Sequence, residues 1–250
     1  MGDENGTQTC YWSWAVANWA DCCEKPQPPS VLKLPKLATQ CGVLSVETEH
    51  IDTTVLEEIA TCTKVAVHPS WRTLRLIQDK YEQEAYLGRQ GIPIAEHMAT
   101  EASGDAMKDS YDGRGNLMIS NAADLNRADA EFGNLHCYAE KYVPFECGLS
   151  ISVIRTEDHG GRTNRLVPYP AVETVHENNI GSQVYVPPRA TPVSVCKRAQ
   201  HAACSVVDKL WGRGIFAVEA SVTDNEILVN EIAPQPHNSR HLFNEAVPCM

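Results

Sequence analysis

The most regular pattern of apolar and polar positions lies in the last quarter of the chain. Two apolar runs, Gly214–Val222 and Ile227–Ala233, are separated by four polar residues. Two such runs joined by a short polar loop predict a β-hairpin. Upstream, residues 195–210 predict an amphipathic helix, because small and aliphatic residues recur at helical spacing on one face. These residues are Ala199, Ala203, Val206 and Leu210.

The first half of the chain predicts shorter elements. Strands are indicated at Val43–Glu47 and Val65–Val67, and Asp52 or Thr53 can cap a helix between them. A longer helix is expected to begin at Ser70 and to end near Gly91. Apolar or aromatic residues recur there at helical spacing, namely Leu74, Ile77, Tyr81 and Ala85.

Further strands are indicated at residues 138–145 and 149–154, with a glycine-containing turn at 159–164 after them. Residues 104–116 are polar and rich in Gly and Asp, which is typical of a loop. Residues 25–30 are rich in proline and resemble a linker. The succession of elements predicts a mixed α+β protein with largely antiparallel strands.

Composition narrows the possible partners. The chain has 250 residues and a formal net charge of −11, which argues against nonspecific binding to nucleic acid. No apolar run is long enough to cross a bilayer, and the acidic N-terminus does not resemble a secretory signal. The ten cysteines include no Cys-x-x-Cys pair, so a zinc site is not indicated. We therefore expect a cytoplasmic protein with reduced, mostly buried thiols.

Two glutamates in the predicted hairpin are the strongest candidates for chemistry. If the loop centres on Asn225, Glu219 and Glu231 lie opposite each other on the two strands. Like charges in directly opposed positions are destabilising, so a cation between them would explain the pair. Two carboxylates that share Mg²⁺ with nucleotide phosphates are a common arrangement in proteins.

Four other features are ambiguous when each is taken alone. The glycine loop 111–116 could cradle phosphates, but a plain surface turn has the same composition. Segment 139–143 could read adenine through its backbone, or could be an ordinary edge strand with a surface ion pair. His176 is by default a structural histidine, and Lys80 is by default a solvated helix residue.

The order of these features is more specific than any one of them. The motifs are Gln78-Asp79-Lys80, Gly91-Ile92-Pro93, Tyr111-Asp112-Gly113-Arg114-Gly115, residues 139–145, residues 172–179, residues 214–219 and residues 230–239. In this order they resemble 5-(carboxyamino)imidazole ribonucleotide synthase, an ATP-grasp enzyme of purine biosynthesis. The resemblance runs from about Cys41 to His241 and is closest to the fungal and plant forms, in which the synthase is fused to a carboxylase.

The resemblance implies a role for each matching residue. Mg²⁺ is expected at Glu219 and Glu231, and catalytic roles are expected for Arg114 and Glu231. Contacts to ATP are expected from Lys80, Tyr111, Asp112, Gly113, Arg114, Gly115, Glu140, Lys141, Val143, His176 and Asn230. The aminoimidazole ribonucleotide is expected to contact Tyr111, Asp112, Arg114, His237, Asn238 and Ser239. Bicarbonate is the implied third substrate, and a homodimer is the implied assembly.

The resemblance also implies a domain organisation. Residues 1–30 are an unassigned tail and linker, and residues 31–96 are a remnant of the N-terminal α/β domain with its connecting helix. Residues 97–142 form a shortened lid subdomain, and residues 143–250 form the second ATP-grasp subdomain with the metal-binding hairpin. The C-terminal domain of the synthase is expected to be missing.

Several positions depart from the family pattern. Gly148 stands where a glutamate is expected to bind the ribose, and Glu146 lies two residues too early to replace it. Gln235 stands in place of an arginine, and Arg240 in place of a glycine. Lys108 lies too near Tyr111 for the expected phosphate-binding lysine. Losing one charged phosphate contact can cost on the order of 10²–10³ in rate.

We therefore expect a carboxylating ligase of impaired activity. One alternative is a non-catalytic remnant or regulatory partner that binds nucleotide without turnover. A different ATP-grasp ligase is a further alternative, which the His237-Asn238-Ser239 loop disfavours because it matches the ribonucleotide-binding part of this family.

Overall fold

A computed structural model of the protein describes residues 9–10, 33–46, 51–99, 117–119, 121–132, 137–177, 180–189, 191–224 and 226–235. Within these residues the elements follow in this order: β1 (Thr9–Cys10), α1 (Lys33–Ala38), β2 (Val43–Ser45), α2 (Thr53–Cys62), β3 (Ala66–His68), α3 (Trp71–Ile77), α4 (Lys80–Arg89), β4 (His97–Ala99), α5 (Ala122–Phe132), β5 (Tyr138–Glu140), β6 (Cys147–Glu157), β7 (Thr163–Pro168), β8 (Val172–Glu177), β9 (Ile180–Tyr185), α6 (Val193–Asp208), β10 (Gly214–Val222) and β11 (Ile227–Ala233).

The largest sheet is antiparallel and carries the predicted hairpin. Its strands lie in the order β11-β10-β6-β8-β9, and β7 pairs with the far end of β6. Helix α6 covers one face, where Ala199, Ala203 and Val206 of the helix and Leu210, two residues beyond its end, are all buried as predicted. The core beneath it includes Ile151, Val206, Phe216 and Ile232, each fully buried. The predictions of the amphipathic helix, the hairpin and the antiparallel sheet are therefore confirmed.

A second, smaller core belongs to the N-terminal part of the chain. Strands β1, β2 and β3 form a parallel sheet, with Thr9 and Cys10 as a short edge strand. Leu44, Leu56 and Leu74 are buried in one cluster with α1, α2 and α3 around them. Helix α2 begins where the sequence indicates, because the Asp52 carboxylate accepts hydrogen bonds from the backbone N–H groups of Thr54 and Val55.

The single helix expected from Ser70 to Gly91 is wrong, because the chain forms two helices with a break at Gln78 and Asp79. Asp79 has an extended backbone, and its carboxylate accepts a hydrogen bond from the Glu82 backbone N–H at 3.0 Å. Such a side chain competes with helical hydrogen bonding and starts a new helix. The two helices also serve different cores, since Leu74 packs in the N-terminal cluster and Leu87 in the larger one.

Two further expectations need correction. The strand expected over residues 138–145 pairs only at Tyr138–Glu140, and the following residues up to Phe145 form no ladder. Pro144, which has no N–H to donate, lies in this unpaired stretch.

The six free cysteines among the described residues are not fully buried, since five are half-buried and Cys62 is exposed. No helix in the described part of the chain has the length and apolarity needed to cross a bilayer.

The two cores meet at a tightly bonded joint between α3 and the turn before β10. The Thr73 hydroxyl donates to the Trp211 carbonyl at 2.7 Å and accepts from the Trp211 N–H at 2.8 Å. The buried Arg155 guanidinium donates to the Gly212 carbonyl at 2.7 Å, while the Gly212 N–H donates to Glu157 at 2.9 Å. These paired contacts fix the position of α3 relative to the large sheet.

We expect Gly212→Ala to destabilise the protein more than Gly161→Ala. Both glycines have positive φ, 87° and 75°, which costs an alanine about 1–2 kcal/mol. At Gly212 an added Cβ would also lie 2.2 Å from the Ser70 backbone nitrogen, whereas at Gly161 it meets open space. Urea denaturation of both variants measures the difference. Equal losses of stability would contradict the close approach at this joint.

Candidate functional site

A β-bulge in the hairpin decides where Glu231 points. Near the loop, Val222 pairs with Ile227 and Ala220 with Val229, but Glu219 pairs with Glu231. Asn230 is therefore an extra residue on β11, which defines a bulge. Because successive strand residues alternate between faces, this extra residue moves Glu231 away from the α6 face and keeps Ile232 on it.

The predicted opposition of Glu219 and Glu231 is confirmed, but its cause is different from the expected one. A loop centred on Asn225 would give that pairing without a bulge. In the observed hairpin Val222 pairs with Ile227, which shifts the register by one residue from that expectation. The Thr223 N–H donates to the Glu226 carbonyl at 3.0 Å within this turn. The bulge restores the pairing. Bulges are frequent beside active sites, where they re-aim a side chain.

The face of the large sheet opposite α6 is polar at its centre. Glu231, Glu219 and Ser150 lie in one row across β11, β10 and β6, and Ser221, Gly148 and Thr174 lie in the next row across β10, β6 and β8. Glu219 is 8% exposed, and Glu231 is exposed at the edge. His176 lies two residues beyond Thr174 on β8, past an irregularity in the pairing with β9, and its side chain is exposed.

Lys80 connects this hairpin to the rest of the site. It is the first residue of α4, and its ammonium group lies 3.3 Å from the Asn230 side-chain oxygen. It also lies 3.7 Å from a Glu140 oxygen and 3.9 Å from a Glu84 oxygen. The segment after α4 joins the same strand, because the Val229 N–H donates to the Pro93 carbonyl at 2.9 Å. Lys80 is thus a partly buried residue held by three acceptors.

The most strongly perturbed group beside Lys80 is Glu84. Its side chain is 3% exposed, and burial raises its pKa from the usual 4.5 to about 7, with a further contribution from the Glu140 charge. The charges of Lys80 and His97 and a hydrogen bond from the Tyr138 hydroxyl lower the pKa of Glu84. No motif in the sequence distinguishes Glu84, His97 or Tyr138 as site residues. A signal for Glu84 is its spacing from Lys80, since residues four apart share one helix face.

The segment expected to hold adenine begins at the end of a short strand and continues into an unpaired stretch. Glu140 ends β5, which pairs with β4 through Glu140 and His97. Lys141 forms an exposed ion pair with Glu96 at 2.8 Å, the surface pair that the simpler interpretation anticipated. Its backbone N–H donates to the Glu96 carbonyl at 2.8 Å. Val143 is half-buried in the unpaired stretch that leads to β6.

Eight expected site residues lie outside the described residues, so their positions stay predictions. They are Tyr111, Asp112, Gly113, Arg114, Gly115, His237, Asn238 and Ser239. Among the site residues that the structure does describe, Lys80 contacts Glu140 and Asn230, and Glu219 pairs with Glu231 across the hairpin.

The carboxylate pair suits a divalent cation that takes its other ligands from phosphates. Within the described ranges, no group of three His, Cys, Asp or Glu residues lies close enough to hold a metal alone. Mg²⁺ often uses only one or two protein carboxylates and completes its octahedron with phosphate oxygens and water. Glu219 and Glu231, directly opposed on a polar face, fit that requirement.

A model of the ATP-grasp domain matches residues 92–248, more than half of the chain. The chain belongs to the ATP-grasp family. It is 37% identical over 228 residues to phosphoribosylaminoimidazole carboxylase of Ogataea methanolica, covering 84% of this chain and 41% of that protein. The chain thus spans less than half the length of this curated relative.

Solved structures of ATP-grasp proteins agree with the fold. Carboxyaminoimidazole ribonucleotide synthase from Aspergillus clavatus, complexed with ATP, has a TM-score of 0.76 and 34% identity, and the match covers 84% of this chain and 58% of that one. A structure of the A. clavatus protein with ADP and 5-aminoimidazole ribonucleotide has a TM-score of 0.76, 32% identity and coverage of 86% and 58%. The ATP-grasp fold and the family resemblance expected from the motifs are confirmed.

We expect Glu84→Gln to stabilise this ATP-grasp chain at pH 8 and to have little effect near pH 5. A raised carboxyl pKa means that the folded state binds the proton more tightly, so wild-type stability falls as pH rises from about 4.5 to 7. A neutral amide avoids that loss, which is worth roughly 10 °C in Tm at pH 8.

The matched control is Glu82→Gln, the same change at an exposed position of the same helix. Thermal melts from pH 5 to pH 8 compare the two variants with the wild type. A Glu84→Gln gain that is the same at every pH would contradict the assigned protonation.

Proposed function

We propose that this ATP-grasp chain binds Mg²⁺-ATP and carboxylates 5-aminoimidazole ribonucleotide, with low turnover. The observation that carries the proposal is the bulge at Asn230. It places Glu231 opposite Glu219 on the polar face and puts Asn230 in contact with Lys80. Strand β11 would thus supply Glu231 as a ligand for the metal and Asn230 as the contact that positions the Lys80 ammonium for the phosphates.

Glu219 and Glu231 would hold Mg²⁺ when nucleotide is bound. The ion would neutralise phosphate charge and orient the terminal phosphate. Lys80, fixed by Asn230 at 3.3 Å and by Glu140 at 3.7 Å, would approach the phosphates as a point charge. These residues position and neutralise charge, which is what phosphoryl transfer requires of a protein.

The reaction implied by the resemblance has two steps. Bicarbonate attacks the terminal phosphorus of ATP and gives carboxyphosphate and ADP. The amine of the ribonucleotide then attacks the carboxyphosphate carbonyl, and phosphate leaves as the carbamate forms. In this scheme Arg114 would stabilise charge on the transferred phosphoryl group, since a guanidinium matches phosphate geometry.

Other parts of the proposal are supported by the sequence alone. Bicarbonate as a substrate and a homodimer follow from the family resemblance, and a cytoplasmic location is proposed from the composition alone. The division of the chain at residues 30, 96 and 142 also comes from the resemblance. Lyase or decarboxylase activity would belong to the carboxylase that is fused to the synthase in fungal and plant forms.

A second candidate is a nucleotide-binding protein without turnover, and Gly148 favours it. An added Cβ at Gly148 would lie 2.7 Å from the Thr174 hydroxyl oxygen and 3.2 Å from the Thr174 carbonyl oxygen. The position expected to carry the ribose-binding glutamate is therefore crowded by Thr174 of β8, and a side chain there would require the Thr174 hydroxyl to rotate away. Glu146 does not substitute for it, because its side chain is hydrogen-bonded to Asp224, which raises the pKa of Glu146.

We expect ATP to raise the Tm of the chain only when Mg²⁺ is present, and Glu219→Gln or Glu231→Gln to abolish most of that gain. Each substitution removes one of two carboxylates that would hold the ion. A gain of about 3 kcal/mol corresponds to nucleotide at roughly 100 times its dissociation constant. Differential scanning fluorimetry with ATP, with and without MgCl₂, makes the measurement.

Glu226→Gln is the matched control, since it removes the same charge from an exposed residue of the hairpin loop. It should retain the Mg²⁺-dependent gain. If ATP stabilises Glu219→Gln and Glu231→Gln as strongly as the wild type, the metal assignment is wrong.

Formation of the carbamate from ATP, bicarbonate and the ribonucleotide separates the two candidates. We expect slow, stoichiometric release of phosphate that stops in Glu231→Gln. Mg²⁺-dependent nucleotide binding with no phosphate release, even at high enzyme concentration, would select the non-catalytic candidate.

A further inference from the structure

Glu84 lies within hydrogen-bond or ion-pair distance of side chains from two other elements. Its Oε1 atom lies 3.2 Å from the Tyr138 hydroxyl of β5, and its Oε2 atom lies 3.7 Å from the His97 Nδ1 atom of β4. On its own helix it lies 3.9 Å from the Lys80 ammonium. The proposed function assigns no role to this buried carboxyl group.

The Tyr138 hydroxyl and the Lys80 ammonium are each shared by the same two carboxyl groups. The hydroxyl lies 3.2 Å from a Glu84 oxygen and 3.3 Å from a Glu140 oxygen, and the ammonium lies 3.9 Å and 3.7 Å from oxygens of the same two residues. Two carboxylates held this close to each other's partners repel, which favours protonation of one of them. Burial raises the pKa of Tyr138, so the phenol keeps its own hydrogen.

Of the two, Glu84 is the carboxyl group for which burial favours the protonated form. Its side chain is 3% exposed, whereas that of Glu140 is 32% exposed and more readily stabilised as an anion by water. When Glu84 carries this proton, the Tyr138 hydroxyl can donate to the ionised Glu140. The pKa of Glu84, about 7, means that this proton is exchangeable near neutral pH.

We propose that Glu84 is a positioning residue that couples nucleotide binding to the uptake of one proton, because only its protonated form leaves the Lys80 ammonium available to phosphates. This inference rests on the proposed nucleotide-binding function.

The charges around the cluster explain the direction of the coupling. With Glu84 and Glu140 both ionised, two negative charges face the single positive charge of Lys80, and His97 is the other titratable group against Glu84. A phosphate approaching Lys80 would then meet net negative charge. With Glu84 protonated, the charges of Lys80 and Glu140 balance, and the anionic ligand meets no excess of like charge. Bound phosphate therefore favours the protonated form of Glu84.

Calorimetric titration of the full chain with Mg²⁺-ATP tests the coupling. At pH 8, titrations in two buffers of different ionisation enthalpy should show uptake of nearly one proton per nucleotide. Affinity should fall about tenfold between pH 6 and pH 8, as expected for one group of pKa about 7 that must be protonated in the complex. Glu84→Gln should bind about tenfold tighter than wild type at pH 8, with no proton uptake.

Glu82→Gln serves as the control and should keep the wild-type proton uptake and pH dependence. A role for Glu84 in packing alone would change affinity equally at both pH values and would leave proton uptake in place. Nucleotide binding without proton uptake, or uptake that persists in Glu84→Gln, would overturn the inference and leave the proposed function intact. Absence of nucleotide binding by the wild type at every pH would overturn both.

Discussion

The arrangement of the whole site depends on one extra residue in a β-hairpin. The apolar residues of β11 must face α6, and this requirement applies on both sides of Asn230: Val229 and Ile232 are both core residues although they are three positions apart. Regular alternation cannot satisfy both. The bulge at Asn230 satisfies both and turns Glu231 to the polar face. The packing of the core and the opposition of the two carboxylates are therefore consequences of the same irregularity.

The bulge also links the hairpin to α4 and, through it, to the N-terminal core. The Asn230 side-chain oxygen accepts a hydrogen bond from the Lys80 ammonium. The neighbouring Val229 forms a parallel bridge with Ile94 in the segment after α4, and its N–H donates to the Pro93 carbonyl. At the other end, the reciprocal hydrogen bonds of Thr73 and Trp211 join α3 to the turn before β10. The hairpin is thus attached to the N-terminal part of the chain at both ends, and Lys80 is held against the bulged residue Asn230 that precedes Glu231.

The parts of the fold that depend on hydrophobic periodicity were predictable from the sequence. The hairpin and α6 have long, regular apolar patterns, and both were located to within about two residues. The break between α3 and α4 was not predicted, because Leu74, Ile77 and Tyr81 keep helical spacing through it. Asp79 starts a new helix there, since α3 packs in the N-terminal core and α4 in the larger one. Glu84 was missed for a similar reason: its burial depends on β4 and β5, which are distant in sequence.

The contact between Gly148 and Thr174 restricts how this chain can change in evolution. The two close oxygens of Thr174 differ in kind, because the hydroxyl at 2.7 Å belongs to the side chain and the carbonyl oxygen at 3.2 Å belongs to the backbone. A rotation of Thr174, or a smaller residue in its place, would relieve the first contact. The second contact would remain whatever residue occupies position 174, so an acidic side chain at position 148 also requires a small shift of β8. Regaining a carboxylate on this strand therefore depends on the backbone of its neighbour as well as on the residue that is substituted.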